Sequence, residues 1–285
     1  MIYLLSFTFP DAGQEAAFFK QQKRTCYDTF YPFNIFSNHQ LVNLDFEPIT
    51  ILYGGNGSGK TTALNVIAET LKLQRDSLYN KTNFFQDYVE MCKFRTMQVV
   101  PRESRIITSD DVFDFMLDLR GINNGIHQRR EEIFQEYLDT KYSNFQMKSL
   151  EDYDELKKVN AARHQTQSKY VRHKLMNNIR EHSNGESAFI YFTEKIRENA
   201  LYLLDEPENS LSPSKQKELV AFLEESVRFF NCQFIISTHS PFLLALKGAK
   251  IYDMDEEIIG VKKWSELSSI RAYYEFFKEY EEEFK

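Results

Sequence analysis

Apolar residues in this chain gather into short runs that end on polar or glycine-rich turns and lead into helical patterns. Residues 49–53 (Ile-Thr-Ile-Leu-Tyr) form the first such run. A glycine-rich turn follows, and then residues 62–71, where Ala63, Leu64, Ile67, Ala68 and Leu71 recur at the spacing of one helix face. Residues 200–204 (Ala-Leu-Tyr-Leu-Leu) form the second run, followed by Asp-Glu-Pro and a helix predicted from about 213 to 230. A third strand is predicted at 233–237, ending in Thr238-His239-Ser240-Pro241, and a short fourth at 106–108. The apolar start, residues 1–9, reads as a further strand, because it lacks the basic region and small-residue cleavage site of a signal peptide. Apolar strands alternating with helices predict an α/β fold with a mostly parallel sheet flanked by helices.

Between residues 111 and 181 the pattern changes. Glycine and β-branched residues thin out and charged helical stretches take over. This predicts a single domain with a core lobe at 1–110 and 186–285 and an inserted helical lobe at about 111–185. The insert carries a charge switch: 131–155 is rich in acids, whereas 156–180 holds Lys157, Lys158, Arg163, Lys169, Arg172, Lys174 and Arg180 with no acid. The basic stretch 156–180 is the one candidate surface for nucleic acid. A solvated helix face paired with the acids just before it is the favoured reading. The acidic end, 279–285, is expected to fray.

Composition narrows the class. The chain has 285 residues, 42% hydrophobic and 27% charged, as a globular protein does. A formal charge of −7 gives no global attraction to nucleic acid or to anionic membranes. The aromatic share of 15%, mostly Phe and Tyr, predicts a bulky core. Cys26, Cys92 and Cys232 form no CxxC pair, which argues against disulfides or zinc and for a reducing, cytoplasmic setting. No apolar run reaches the roughly 20 residues of a membrane span, so no membrane segment is expected.

The strongest chemical signal is Gly54-Gly55-Asn56-Gly57-Ser58-Gly59-Lys60-Thr61, then Thr62, which fits G-x-x-x-x-G-K-[ST] between a strand and a helix. Glycines let successive backbone N–H groups turn inward toward a polyphosphate, and the following helix adds its positive end. Lys60 is expected to reach the β- and γ-phosphates of ATP, and Thr61 to offer its hydroxyl to Mg²⁺. The second signal is Leu-Tyr-Leu-Leu followed by Asp205-Glu206. A buried strand ending in two acids puts carboxylates at the sheet's C-terminal edge, where ligands sit in open α/β folds. Asp205 is then a candidate for the metal, and Glu206 for the general base that polarises water. Three further features follow in order: 182–187 (His-Ser-Asn-Gly-Glu-Ser), 209–212 (Asn-Ser-Leu-Ser), and His239 at a strand end, where it can meet the γ-phosphate.

This ordered set resembles the ABC-type ATPase heads: P-loop, signature, Walker B, D-loop and H-loop. The signature match to LSGGQ is partial, with His182 for Leu, Asn184 for the first Gly and Glu186 for Gln. Glu186 and the run Asp-Glu-Pro-Glu-Asn-Ser-Leu-Ser are more similar to soluble heads of the RecF and chromosome-maintenance kind. Asn-Gly-Glu-Ser and Ser-Thr-His-Ser-Pro-Phe-Leu-Leu resemble small bacterial stand-alone ATPases often labelled AAA family. The resemblance is clearest from residue 48 to about 255. It implies a homodimer formed on ATP, with nucleotide on one copy's P-loop capped by Ser183, Gly185 and Glu186 of the other, and 209–210 along the seam. By position, Asp110 is the candidate for the magnesium contact usually made by a glutamine, with Gln98 behind it. Tyr31, Phe33 and Phe36 are the candidates for stacking on adenine.

The expected function is ATP hydrolysis by a switch that acts on a protein or nucleic-acid partner, in DNA maintenance or phage defence. The alternatives are the ATPase subunit of a membrane transporter and an ATP-dependent scaffold with little turnover. The altered signature and the missing glutamine weigh against the transporter. The intact Lys60, Asp205, Glu206 and His239 weigh against the scaffold.

Overall fold

A computed structural model describes residues 1–23, 26–143, 152–164, 166–174 and 184–285. The chain divides into two compact units, Met1–Phe113 with Asn184–Lys285, and Asp114–Ser183. The first unit holds two sheets. In chain order the strands are β1 (Leu4–Thr8), β2 (Asn43–Asp45), β3 (Ile49–Tyr53), β4 (Lys93–Thr96), β5 (Arg105–Thr108), β6 (Leu201–Asp205), β7 (Gln233–Ser237), β8 (Lys250–Asp253) and β9 (Gly260–Lys262).

The larger sheet runs β5-β6-β7-β3-β8-β9 and is parallel except for β9. β3, β6 and β7 are buried at every residue. That is why they read as unbroken apolar runs rather than alternating ones. Their register aligns the chemistry: Asp205 stands beside Ser237 on one side and Thr108 on the other, and Ser237 stands beside Leu52. Strand ends on β3, β6 and β7 therefore open at one edge of the sheet.

The smaller sheet, β2-β1-β4, is antiparallel. Gln233 joins the two sheets. Its side chain is fully buried at the start of β7, where Oε1 accepts from the N–H groups of Tyr3 (2.8 Å) and Leu4 (2.9 Å) and Nε2 donates to Leu4 O (2.9 Å). The aromatic share finds its place in the core around the P-loop helix, Lys60–Leu71. Phe9 stacks on Phe36 at 4.2 Å between centroids, Phe18 on Phe33 at 4.6 Å and Phe30 on Phe84 at 4.6 Å.

The described part of the second unit is helical. The helix Ser109–Tyr142 runs into it, and Tyr153–His164 and Gln167–Lys174 follow. Ile133, Tyr137, Ala162, Tyr170 and Val171 form its own small core. In the basic stretch, Lys158 pairs with Glu155 at 3.3 Å and Lys157 lies 3.8 Å from Asp154, each one turn away on the same helix. Arg180 lies outside the described residues. At the chain's acidic end the structure differs from the expected fraying. A helix, Ser268–Glu279, leads into a 3₁₀ turn, Glu281–Phe284, closed by Lys285 on Glu282 at 2.7 Å.

Candidate active site

The loop after β3 needs its glycines at two positions. Gly57 and Gly59 have φ of +86° and +91°, the left-handed region that disfavours a side chain. A Cβ on Gly59 would also meet Ile35 at 3.0 Å. The loop is fastened from outside by Asp255, whose carboxylate accepts from the Gly55 N–H at 2.8 and 3.0 Å. Lys60, the first residue of the helix, is buried and donates to Gly54 O (2.6 Å) and Gly55 O (2.8 Å). Its ammonium stands 4.0 Å from Glu206 Oε1. Asn56 is exposed, and Ser58 is half-buried on the same loop. Thr62 is buried and accepts from the Tyr31 hydroxyl at 3.1 Å.

Asp205 ends β6 with a buried carboxyl. Oδ1 accepts from Thr61 Oγ1 at 3.0 Å and from the Ser237 hydroxyl. Burial pushes this carboxyl's pKa up, the two hydroxyls pull it back, and neighbouring Glu206 raises it again. Glu206 holds φ of +48°, uncommon for a residue with a side chain. The conformation is fixed by its N–H donating to Ser237 O (3.0 Å) and by Asn209 Nδ2 donating to Oε2 (3.1 Å). His239 follows β7, half-exposed, with Nδ1 4.0 Å from Glu206 Oε1 and 3.5 Å from Glu208 Oε1. Lys60, Thr61, Asp205, Glu206 and His239 thus meet at one edge of the parallel sheet.

Glu208 is the residue that sequence reasoning passed over. It is 6% exposed, and Oε1 accepts from Thr238 Oγ1 (2.6 Å), His239 N–H (3.0 Å) and Ser240 N–H (3.2 Å). Its only signal in the sequence is the acid after the proline in Asp-Glu-Pro-Glu. Nothing in the spacing links it to residues 238–240; the adjacency of β6 and β7 does.

The remaining candidates lie apart. Gly185 is the second residue of the helix Asn184–Lys195, where an added Cβ would meet Ser210 O at 3.4 Å. Glu186 is exposed on the same turn, and Ser183 lies outside the described residues. Asp110 is exposed at the start of the long helix, while Asp111 is buried and accepts from Thr108 N–H at 2.6 Å as a cap. The residue beside Asp205 in the sheet is Thr108. Gln98 is exposed beyond β4. Phe33 and Phe36 are core residues, Phe36 lying against Gly59, and Tyr31 reaches the start of the following helix through its bond to Thr62.

The donor set fits a magnesium–nucleotide pair. A buried lysine and left-handed glycines suit a polyphosphate, and the Thr61 hydroxyl beside the Asp205 carboxylate offers hard oxygen ligands. No group of three or more His, Cys, Asp or Glu is arranged to hold a metal ion among the described residues. A cation here would draw its other ligands from water and phosphate, as Mg²⁺ does.

A family model described as ABC transporter matches residues 40–209, and one described as AAA ATPase domain matches 180–244. Two uncharacterized ORF2 proteins, from Spiroplasma virus SpV1-C74 and SpV1-R8A2 B, are 30% identical over 87 residues. Those matches take in 30% of this chain and 25% of the length of each curated relative. Among solved structures, the Smc head domain of Pyrococcus furiosus bound to the C-terminal domain of ScpA is 12% identical, with a TM-score of 0.40, over 83% of this chain and 94% of that one. A dimeric post-hydrolysis state of the ATP-binding cassette MJ0796 is 15% identical, with a TM-score of 0.36, over 78% of this chain and 89% of that one.

Proposed function

This chain belongs to the ABC transporter family as an ATP-binding and ATP-hydrolysing head, and we propose that it works as a stand-alone switch in which two copies close head to head around ATP. The observation that carries the reading is the meeting of Lys60, Thr61, Asp205, Glu206 and His239 at the ends of β3, β6 and β7.

Each residue has a task that its surroundings suit. Lys60, now held on the Gly54 and Gly55 carbonyls, exchanges those acceptors for phosphate oxygens when substrate arrives. Thr61 and Asp205 would hold Mg²⁺, which would neutralise charge on the bound phosphates. Glu206 is held by Asn209 on one oxygen, leaving Oε1 toward Lys60 and His239, where it orients and deprotonates the attacking water. His239 faces the γ-phosphate and the attacking water from the end of β7. Asn209 and Ser210 lie along the seam between copies, and Ser183, Gly185 and Glu186 of one copy cap the nucleotide of the other.

The partner is a protein or a nucleic acid, in DNA maintenance or phage defence. Pairing of Lys157 and Lys158 with acids of their own helix favours a protein over the nucleic acid. No helix among the described residues is long and apolar enough to cross a membrane.

The test is Glu206→Gln with Mg²⁺ and ATP, followed by light scattering and a turnover assay. Removing the base lowers turnover about 10²- to 10⁴-fold and traps a nucleotide-bound dimer. A variant that binds ATP yet keeps the mass of one chain would defeat the clamp.

A further inference from the structure

We propose that Glu208 is a positioning residue for ATP hydrolysis, one that fixes the 238–240 turn and the tautomer of His239 and ties this histidine to the 209–212 segment. The inference rests on the reading that His239 meets the attacking water beside the γ-phosphate.

Three donors from one turn converge on a single oxygen. Glu208 Oε1 takes the Thr238 hydroxyl and the His239 and Ser240 N–H groups at 2.6, 3.0 and 3.2 Å. Its other oxygen, Oε2, is buried with no hydrogen-bond partner. Burying a carboxylate with one oxygen unpaired is unfavourable, and a turn that only needed holding would be served by a neutral amide or hydroxyl. The remaining neighbour shows what the charge is for. Nδ1 of His239 lies 3.5 Å from the same Oε1, and Glu206 Oε1 lies 4.0 Å from that same nitrogen. Two carboxylates facing Nδ1 place the imidazole proton there, so Nε2 of the neutral ring is left bare to accept a hydrogen bond from the attacking water.

The same residue reaches the seam through its backbone. Its carbonyl accepts the Leu211 N–H at 3.0 Å, while Asn209 N–H donates to Glu206 O at 3.1 Å. Residues 206, 208, 209 and 211 are thereby one hydrogen-bonded turn with the 238–240 segment fastened to its middle. A displacement of 209–212 by a second copy is passed to His239 through Glu208, beside the bridge that Gln216 makes from Leu211 O (2.9 Å) to the Ser240 hydroxyl (2.7 Å).

The experiment compares wild type, Glu208→Ala, His239→Ala and the double variant of the full chain, with steady-state turnover, affinity for a fluorescent ATP analogue and ¹⁵N-histidine NMR. The His239 signal among the six histidines is assigned by its loss in His239→Ala. Glu208→Ala is expected to lower kcat about 10- to 100-fold, as small misplacements of reacting groups do, with KM and analogue affinity within about threefold, and to remove the Nδ1–H signature. In the His239→Ala background the same change costs less than about twofold, because the two act as a unit. Losses that multiply, or an Nδ1–H signature that survives in Glu208→Ala, would overturn the role. Should Glu208→Ala not fold, Glu208→Gln decides. It keeps an oxygen for the three donors but loses the charge, so it is expected to fold, lose the Nδ1–H signature and turn over about 10-fold or more below wild type. A folded Gln variant that keeps Nδ1–H and wild-type turnover overturns the proposal. A wild-type chain that binds nucleotide without turnover would sink the reading of His239, whereas turnover with multiplying losses sinks only the role of Glu208.

Discussion

Asp205 sits at the end of an apolar strand with its carboxyl held by two hydroxyls, and burial there raises its pKa above the ordinary 3.8. A raised value means that the fold favours the protonated form. That stabilisation is complete below the ordinary value and is lost as pH rises through the folded one, so at neutral pH the ionised group is a strain on the fold. Mg²⁺ binding requires the ionised form. Asp205→Asn, which keeps Oδ1 as the acceptor for Thr61 and Ser237, is therefore expected to raise the melting temperature while abolishing Mg²⁺-dependent turnover. Each kcal/mol gained moves Tm by about 2–4 °C in a chain of this size. The gain should shrink as the buffer is lowered toward pH 4, where wild type takes up the proton. A variant that melts below wild type at pH 7.5 would show that the carboxylate contributes more than burial takes away. The left-handed backbone of Glu206 and the crowded carboxylates around His239 belong to the same pattern of function held against local stability.

Gln233 sets the relation between the two sheets at the scale of strands. Gln233→Leu would keep volume but leave Tyr3 N–H, Leu4 N–H and Leu4 O without partners in a buried place. Each orphan costs about 1–3 kcal/mol, so the variant is expected to melt far below wild type and to lose protection of β1 in hydrogen exchange. Protection of β1 equal to wild type would show that the sheets hold together without it. This junction was not legible in the sequence, where Gln233 reads only as the polar first residue of a strand. What was legible were the elements buried on both faces: residues 49–53 and 233–237 were predicted at the bounds observed for β3 and β7, and the Walker B strand within one residue. β4 was missed because its residues, Lys-Phe-Arg-Thr, are all exposed and carry no apolar run. β8 and β9 are short, and only a four-residue helix, Pro241–Leu244, and a loop precede β8, too little for the pattern of a βα unit. The site divides the same way. The P-loop is one unbroken run and Asp205-Glu206 an adjacent pair, so both could be read, whereas Glu208 and its turn become neighbours only once β6 and β7 pair.

For the whole molecule, sheet order has a consequence for synthesis. The strand that carries the P-loop lies between β7 and β8, residues 233–237 and 250–253, and β1 is sealed by Gln233. A nascent chain must therefore wait for residues 233–253 to leave the ribosome before residues 49–53 find either neighbour. Until then a strand that will be wholly buried has open edges, the condition that invites chaperones or mispairing. A chain arrested at residue 230 is expected to be cut by protease around 49–53 and to take up no fluorescent ATP analogue, while release of the rest restores both protection and binding. Nucleotide capture is thus withheld until residues 233–253 have emerged, and a copy stopped short of them cannot enter a clamp and poison its mate.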